Sequence, residues 1–262
     1  TDGNQARWEA LSRLITVYQV EKEWENAIDA VDKLLQHPKY RREKSLRLVA
    51  AHYCCELADQ SIKNKNILEA RNYIRRAFQF DRTSPRAGLL LSEIERESGN
   101  IDRAIRELIR VAEQHPNFIT EIVGPLITCF QLEEKRGNSA ELKNYLLRLL
   151  DEEPRTSVLL AVVRLTLDED GDGKALATLA EGLRQRPSLK GFKVLLDMQI
   201  RQSEGDFQPY LRLTTDNLGR YLQTKPGYRC GHCGFETRKL YWQCPSCQKW
   251  EQLKPLQGVE GD

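Results

Sequence analysis

The chain has 262 residues, 40% of them hydrophobic and 30% charged, with 40 Lys and Arg against 38 Asp and Glu. This is enough for one large or two unequal domains with a real core. The formal charge of +2 makes no case for nucleic acid, which needs a clustered basic face. No run of roughly eighteen apolar residues marks a membrane span and no signal peptide opens the chain. Thr1 stands where an initiator Met would be, so a fragment of a longer protein is expected. Three of the seven cysteines, Cys54, Cys55 and Cys129, sit in apolar periodic segments, and the other four lie near the end. Unpaired thiols beside a thiolate cluster fit a reducing compartment.

From the N-terminus, apolar residues recur at helical spacing. Leu11, Leu14, Ile15 and Tyr18 mark one helix face; Trp24, Ala27, Ile28, Val31, Leu34 and Leu35 mark a second, closed by Pro38. The arrangement returns with Leu57, Ala58, Ala70, Ile74 and Ala77, and again with Leu91, Gly99, Ala104, Leu108, Val111 and Pro116. Ala70 and Ala104 are 34 residues apart. A fourth unit follows, because the interval from Gly99-Asn100 to Pro116 repeats from Gly137-Asn138 to Pro154; its first helix carries Ile122, Leu126, Ile127, Cys129 and Phe130. A fifth uses Val158 to Leu167, then Ala175, Leu176 and Leu179, ending at Pro187. A weaker sixth pair spans Phe192 to Ile200 and Phe207 to Leu222.

This pattern resembles the tetratricopeptide repeat, in which a small residue, here Ala27 in the first unit, lets two antiparallel helices interlock. Each hairpin exposes apolar surface on both sides and buries it only against its neighbours, so the fold class is mostly α, an α-solenoid of about five to six hairpins over residues 1–222. A linker at 223–227, Gln-Thr-Lys-Pro-Gly, precedes a small module at 228–262. The repeat register nominates Ser12, Thr16, Gln19, Asp59, Lys63, Glu93 and Arg96, on the first helices of their units, to line a concave protein-binding groove.

Catalytic constellations are not apparent. His37, His52, His115 and His232 fall in different units, outside any nucleophile, phosphate-loop or metalloprotease motif, and the expectation is that the protein is not an enzyme. Cys54 and Cys55, beside His52, read as small core residues. Asp168-Glu-Asp-Gly-Asp-Gly173 resembles a calcium loop but lacks the glutamate at its twelfth position, and reads as an inter-helix turn. Lys39, Arg41, Arg42 and Lys44 form a short basic run, either a solvated loop or a face toward acidic lipid or a partner.

The most specific signal is at the end. Cys230-Gly-His-Cys233 and Cys244-Pro-Ser-Cys247 are two Cys-x-x-Cys turns with ten residues between them. Facing each other, two such turns complete a tetrahedron of thiolates, so Cys230, Cys233, Cys244 and Cys247 are the expected ligands of one metal ion. Zinc is the expected ion, and iron suits the same ligands. Gly234 supplies a residue free to take positive φ after the first pair, and Pro245 stiffens the second turn. The pattern resembles a shortened pair of rubredoxin knuckles. Tyr228, Phe235, Tyr241, Trp242 and Trp250 would form its apolar body, more aromatic surface than so small a core encloses. The module is therefore expected to pack on the last hairpins, against Phe207, Tyr210, Leu211 and Leu218. Iron would make it an electron-transfer protein that absorbs visible light. A nucleic-acid ribbon is disfavoured: residues 225–262 hold six Lys/Arg and four Asp/Glu, and a divalent ion with four thiolates adds a formal charge of about minus two.

The order of hairpins, Tyr18, Trp24, Ala27 and Ile28, the stretch Ala51-His-Tyr-Cys-Cys-Glu-Leu-Ala58, and the segment from Lys225-Pro226 through Leu240-Tyr-Trp242 to Cys247 together resemble the lipopolysaccharide assembly protein B family of Gram-negative bacteria. The resemblance spans essentially the whole chain. It implies an N-terminal membrane anchor and further repeats beyond this chain. It also implies a non-enzymatic regulator on the cytoplasmic side of the inner membrane, with the protease FtsH and the deacetylase LpxC as partners, limiting lipopolysaccharide synthesis by promoting degradation of LpxC by FtsH.

Overall fold

A computed structural model describes residues 2–133, 139–202 and 207–262; the Gly137-Asn138 turn expected in the fourth unit lies outside the described residues. The helical periodicity becomes α1 (Asp2–Glu21), α2 (Trp24–Leu35), α3 (Lys44–Lys63), α4 (Ile67–Phe80), α5 (Pro85–Glu97) and α6 (Ile101–Gln114). After a 3-10 turn (Pro116–Phe118) come α7 (Ile119–Glu133), α8 (Ser139–Glu152), α9 (Thr156–Asp170), α10 (Asp172–Gln185), α11 (Leu189–Gln202) and α12 (Gln208–Thr224). Strands β1 (Tyr228–Cys230), β2 (Glu236–Thr237) and β3 (Leu253–Pro255) form an antiparallel sheet in the order β2-β1-β3. The fold is mostly α, hairpin after hairpin, ending in a four-cysteine ribbon. It divides into two compact units, residues 1–114 and 115–262.

In the first unit the three hairpins share one turn. Lys22 (φ +59°), Lys65 (φ +61°) and Gly99 (φ +78°) each take a left-handed conformation at the end of the first helix. The next residue's N–H then reaches back to an orphan carbonyl: Glu23 to Tyr18 at 2.9 Å, Asn66 to Ser61 at 2.8 Å and Asn100 to Glu95 at 2.8 Å. Lys65 lies 34 residues before Gly99 but 43 after Lys22. The extra length of the first interval falls in a longer α3 and in the connection 36–43, whose counterpart in the next unit is only 81–84.

Packing follows the small residues. Ala27, Ala70 and Ala104 are fully buried, and a Cβ added at Gly88 would lie 2.4 Å from Val111 Cγ2, so α5 and α6 approach closely there. Tyr53 is fully buried, stacks on Trp24 at 5.4 Å and donates its hydroxyl to Gln19 at 2.9 Å. Cys54 and Cys55 are core residues, each thiol pushed up to about 12 by burial, which keeps them protonated and unreactive.

Glu95, 4% exposed, accepts from Arg71 and, at 2.8 Å, from Asn100. The Arg71 guanidinium, then Asn100, holds its carboxyl below the usual range. A depressed folded value means that this stabilisation is complete above the unfolded carboxyl value of about 4.3 and is lost as pH falls through the folded one. Arg71→Ala should therefore lower stability at pH 7 by about 1–3 kcal/mol. It should also flatten the acid limb of a urea-midpoint profile between about pH 5 and pH 3; an unchanged limb would show that the pair contributes nothing.

In the second unit a core of Leu159, Val163, Ala175, Leu179, Leu183 and Met198 joins α9, α10 and α11. Of the stretch 168–173, expected to be an inter-helix turn, only Gly171 (φ +85°) lies between helices; Asp168 to Asp170 end α9 and Asp172 opens α10. Lys143 (2.7 Å) and Lys174 (2.8 Å) pair with Asp170 and hold its carboxyl down to about 2.

Candidate metal centre

The ribbon is two copies of one backbone knuckle. In the first, Cys230 accepts from Gly234 N–H at 3.0 Å and donates its own N–H to Phe235 at 2.8 Å; in the second, Cys244 accepts from Gln248 at 2.8 Å and donates to Lys249 at 2.9 Å. Both need a left-handed residue just after the second cysteine: Gly234 (φ +76°) in the first and Gln248 (φ +56°) in the second. Gly234 is legible in the sequence as a turn glycine. Gln248 is not, because a non-glycine residue there carries no composition signal.

These knuckles bring the four predicted cysteines together, with all four sulfurs within 4.8 Å of one another. Cys230 and Cys247 lie 3.8 Å apart and Cys233 and Cys244 lie 3.7 Å apart. A metal–sulfur bond of about 2.3 Å gives a tetrahedron with edges of about 3.8 Å, so the sulfurs already have the spacing of a four-thiolate site. The electrostatics agree. A hydrogen bond from Phe235 N–H pulls the exposed Cys233 thiol down to about 6. Lys249 N–H lowers Cys247 likewise, but burial and the three neighbouring sulfurs outweigh it and push that thiol up to about 11. Four sulfurs this close cannot all ionise without a cation among them, and a tetrahedral metal ion removes that penalty. When bound, the ion supplies a structural cross-link; all four ligand positions are protein sulfurs, the composition of a closed structural site.

Around the sulfurs Tyr228, Cys230, Cys244 and Leu253 are buried, with Phe235 and Leu240 packed against them. Trp250 is also buried, whereas Tyr241 remains 44% exposed. The ribbon's helical partner differs from the one expected. Phe118, at the end of the 3-10 turn and 5% exposed, stacks on Trp242 with ring centres 5.0 Å apart. Tyr228 donates its hydroxyl to Glu121, and burial, then that carboxylate, pushes the phenol far up. The expected partners Phe207 and Tyr210 are 80% and 68% exposed. The aromatic surplus finds its neighbours at Phe118 and Glu121, in the 3-10 turn and α7, while contact with the last hairpin comes from the residues after β3.

The residues after β3 form a strap. Leu189 donates its N–H to Val259 at 2.8 Å, and Glu260 accepts from Tyr221 and pairs with Lys225 at 3.1 Å. Asp262, 3% exposed, accepts from Ser157 N–H at 2.6 Å, from Ser157 Oγ at 2.9 Å and from the Thr120 hydroxyl, while Arg186 donates to its backbone oxygen at 3.0 Å. A Cβ at Gly261 would lie 2.0 Å from the Leu256 carbonyl oxygen, so only glycine fits that turn. None of this was foreseen from spacing. Its one sequence signal is the pair Gly258 and Gly261, two turn residues within four positions.

The seven groove candidates lie on α1, α3 and α5: Ser12 and Thr16 are exposed, Gln19 accepts from Tyr53, and Asp59 pairs with Lys63 at 2.5 Å. Exposed Glu93 has its carboxyl raised by partial burial, then by Glu97, with Asp59 adding to it and Arg96 opposing.

Residues 228–255 match a family model described as a rubredoxin metal binding domain. Over all 262 residues the chain is 30% identical to lipopolysaccharide assembly protein B of Escherichia coli strain K12, covering 66% of that protein. Against lipopolysaccharide assembly protein B of Haemophilus influenzae it is 32% identical over 252 residues, which is 96% of this chain and 62% of the relative. The chain thus spans about two thirds of the length of these relatives. Among solved structures, one titled for the functional characterisation of Pseudomonas aeruginosa pilF matches 85% of this chain and 93% of its own, at 17% identity and a TM-score of 0.43. The match to the Escherichia coli relative spans all 262 residues, helical hairpins and cysteine module together, and the chain belongs to the lipopolysaccharide assembly protein B family.

Proposed function

We propose that this chain is the repeat-and-ribbon part of a non-enzymatic adaptor that regulates lipopolysaccharide synthesis at the cytoplasmic face of the inner membrane by bringing the deacetylase LpxC to the protease FtsH. The observation that carries the reading is the match of all 262 residues to about two thirds of lipopolysaccharide assembly protein B. In this reading one zinc ion holds Cys230, Cys233, Cys244 and Cys247. Residues 1–222 act as the repeat domain, 223–227 as the linker and 228–262 as the metal module, and an N-terminal anchor outside this chain ties the protein to the membrane.

The physical support is the kind of surface the fold offers. Stacked hairpins present helix faces suited to capturing a peptide or protein, and Ser12, Thr16, Gln19, Asp59, Lys63, Glu93 and Arg96 are the groove residues we assign to that task. An adaptor works by raising local concentration, so each contact can be modest while the ternary assembly is effective. The test is affinity capture of the full-length, membrane-anchored protein from its own cells. Recovery of FtsH and LpxC together supports the adaptor; recovery of neither rejects it.

A further inference from the structure

The connection between α2 and α3 carries a cluster of cations that the rest of its unit does not resemble. Elsewhere in residues 1–114 several basic side chains are ion-paired across or along helices, Arg76 to Asp32 and Arg86 to Glu56, each at 2.7 Å, Lys63 to Asp59 at 2.5 Å, and Arg71 to Glu95. Residues 39–47 hold five Lys or Arg and a single acid, Glu43. Among the described residues, none of Lys39, Arg41, Arg42 and Lys44 pairs with a carboxylate, and all four are exposed. Glu43 is itself engaged, accepting from Ser45 at 2.7 Å. Four unneutralised cations within six positions repel one another, a cost that an anion arriving from outside would relieve.

This loop is also built rather than loose. Tyr40 and Arg41 both donate their N–H to the His37 carbonyl at 3.0 Å, Glu43 donates to the Tyr40 carbonyl at 2.9 Å, and Arg47 Nη2 donates to the Arg41 carbonyl at 3.2 Å. His37 lies between Trp8 (4.7 Å) and Tyr40 (5.7 Å), so aromatic rings back the turn. Gln36, Pro38, Lys39, Arg41 and Arg42 line an open hollow of about 680 Å³. The longer of the two inter-hairpin connections in this unit is therefore the one that carries the unpaired charge.

We propose that this basic turn is a docking surface for phosphate headgroups of an anionic lipid surface, with Lys39, Arg41, Arg42 and Lys44 as the contacting groups. Arginine forks match phosphate oxygens in pairs, and lysines add mobile point charges. Cations spread over an open hollow exceed what one small anion uses. The half-exposed Trp8 and Tyr40 beside them have the amphipathic character that suits a lipid–water boundary.

The test is co-sedimentation of the full 262-residue chain with phosphatidylcholine vesicles, with and without phosphatidylglycerol. Binding should require phosphatidylglycerol and fall with added salt. Lys39→Ser, Arg41→Ser and Arg42→Ser should each weaken it roughly fivefold, and the triple variant on the order of a hundredfold. Neutralising Arg212 and Arg220 on α12 should leave it unchanged. These are exposed positions, and an unaltered circular dichroism spectrum verifies folding. Equal binding to both vesicle types, or a triple variant that binds like the parent, overturns the proposal. So does efficient displacement by inorganic phosphate, which would mark a small-anion site, or by polyglutamate, which would mark an acidic protein partner.

Discussion

Cys244→Ser is expected to abolish metal binding and unfold residues 228–255 while leaving the helical hairpins folded. Cys244 is fully buried, and two of the four buried residues at the ribbon's core, Cys230 and Cys244, are themselves metal ligands. The sheet around them has strands of only three, two and three residues, too little to close a core alone. For such modules the free energy of metal binding is the free energy of folding, about 10–16 kcal/mol for structural zinc at neutral pH. A serine oxygen cannot replace the thiolate, and the remaining sulfurs would be left crowded without the charge that holds them. Metal per chain should fall from one to near zero, and amides of the ribbon should exchange freely with solvent. Helical circular dichroism should be nearly unchanged, because the cores of α1–α12 contain none of the four sulfurs. A Cys244→Ser protein that keeps its full metal content would refute the assignment.

Phe118→Ala separates docking from metal binding. Phe118 is 5% exposed and stacks on Trp242 at 5.0 Å, and truncating a buried phenylalanine costs about 3–5 kcal/mol. The loss falls where the 3-10 turn meets the ribbon, while the sulfur cluster is untouched. The variant should therefore keep one metal ion per chain yet show a ribbon with faster local tumbling in nitrogen relaxation measurements. Phe207→Ala, at a side chain 80% exposed, should change neither. If Phe118→Ala left ribbon and helices tumbling as one body, the remaining contacts, Tyr228 to Glu121 and Asp262 to Ser157, would be sufficient without the aromatic stack.

What could be read in advance follows from how local each signal is. The hairpins are legible because Ala27, Ala70 and Ala104 are local markers of close helix approach, and their burial is fixed by periodicity. The metal site is legible because two Cys-x-x-Cys turns impose their own geometry. The left-handed Gln248 is not, since the hydrogen bonds of the knuckle, rather than glycine's freedom, hold it there. The ribbon's partner is not either: exposed aromatics on α12 and a buried one at Phe118 look alike in sequence, and only the path of the chain decides which of them meets Trp242. The strap through Asp262 joins positions 105 and 142 residues away in sequence, a separation at which spacing carries no information.

If the proposed adaptor needs its metal-folded ribbon to bring LpxC to FtsH, the lifetime of LpxC in cells depends on the four cysteines. In cells whose only copy is the full-length protein carrying Cys244→Ser and Cys247→Ser, present at the parent's level, LpxC should be long-lived wherever the parent protein makes it short-lived. An LpxC that is still degraded rapidly in those cells would contradict it.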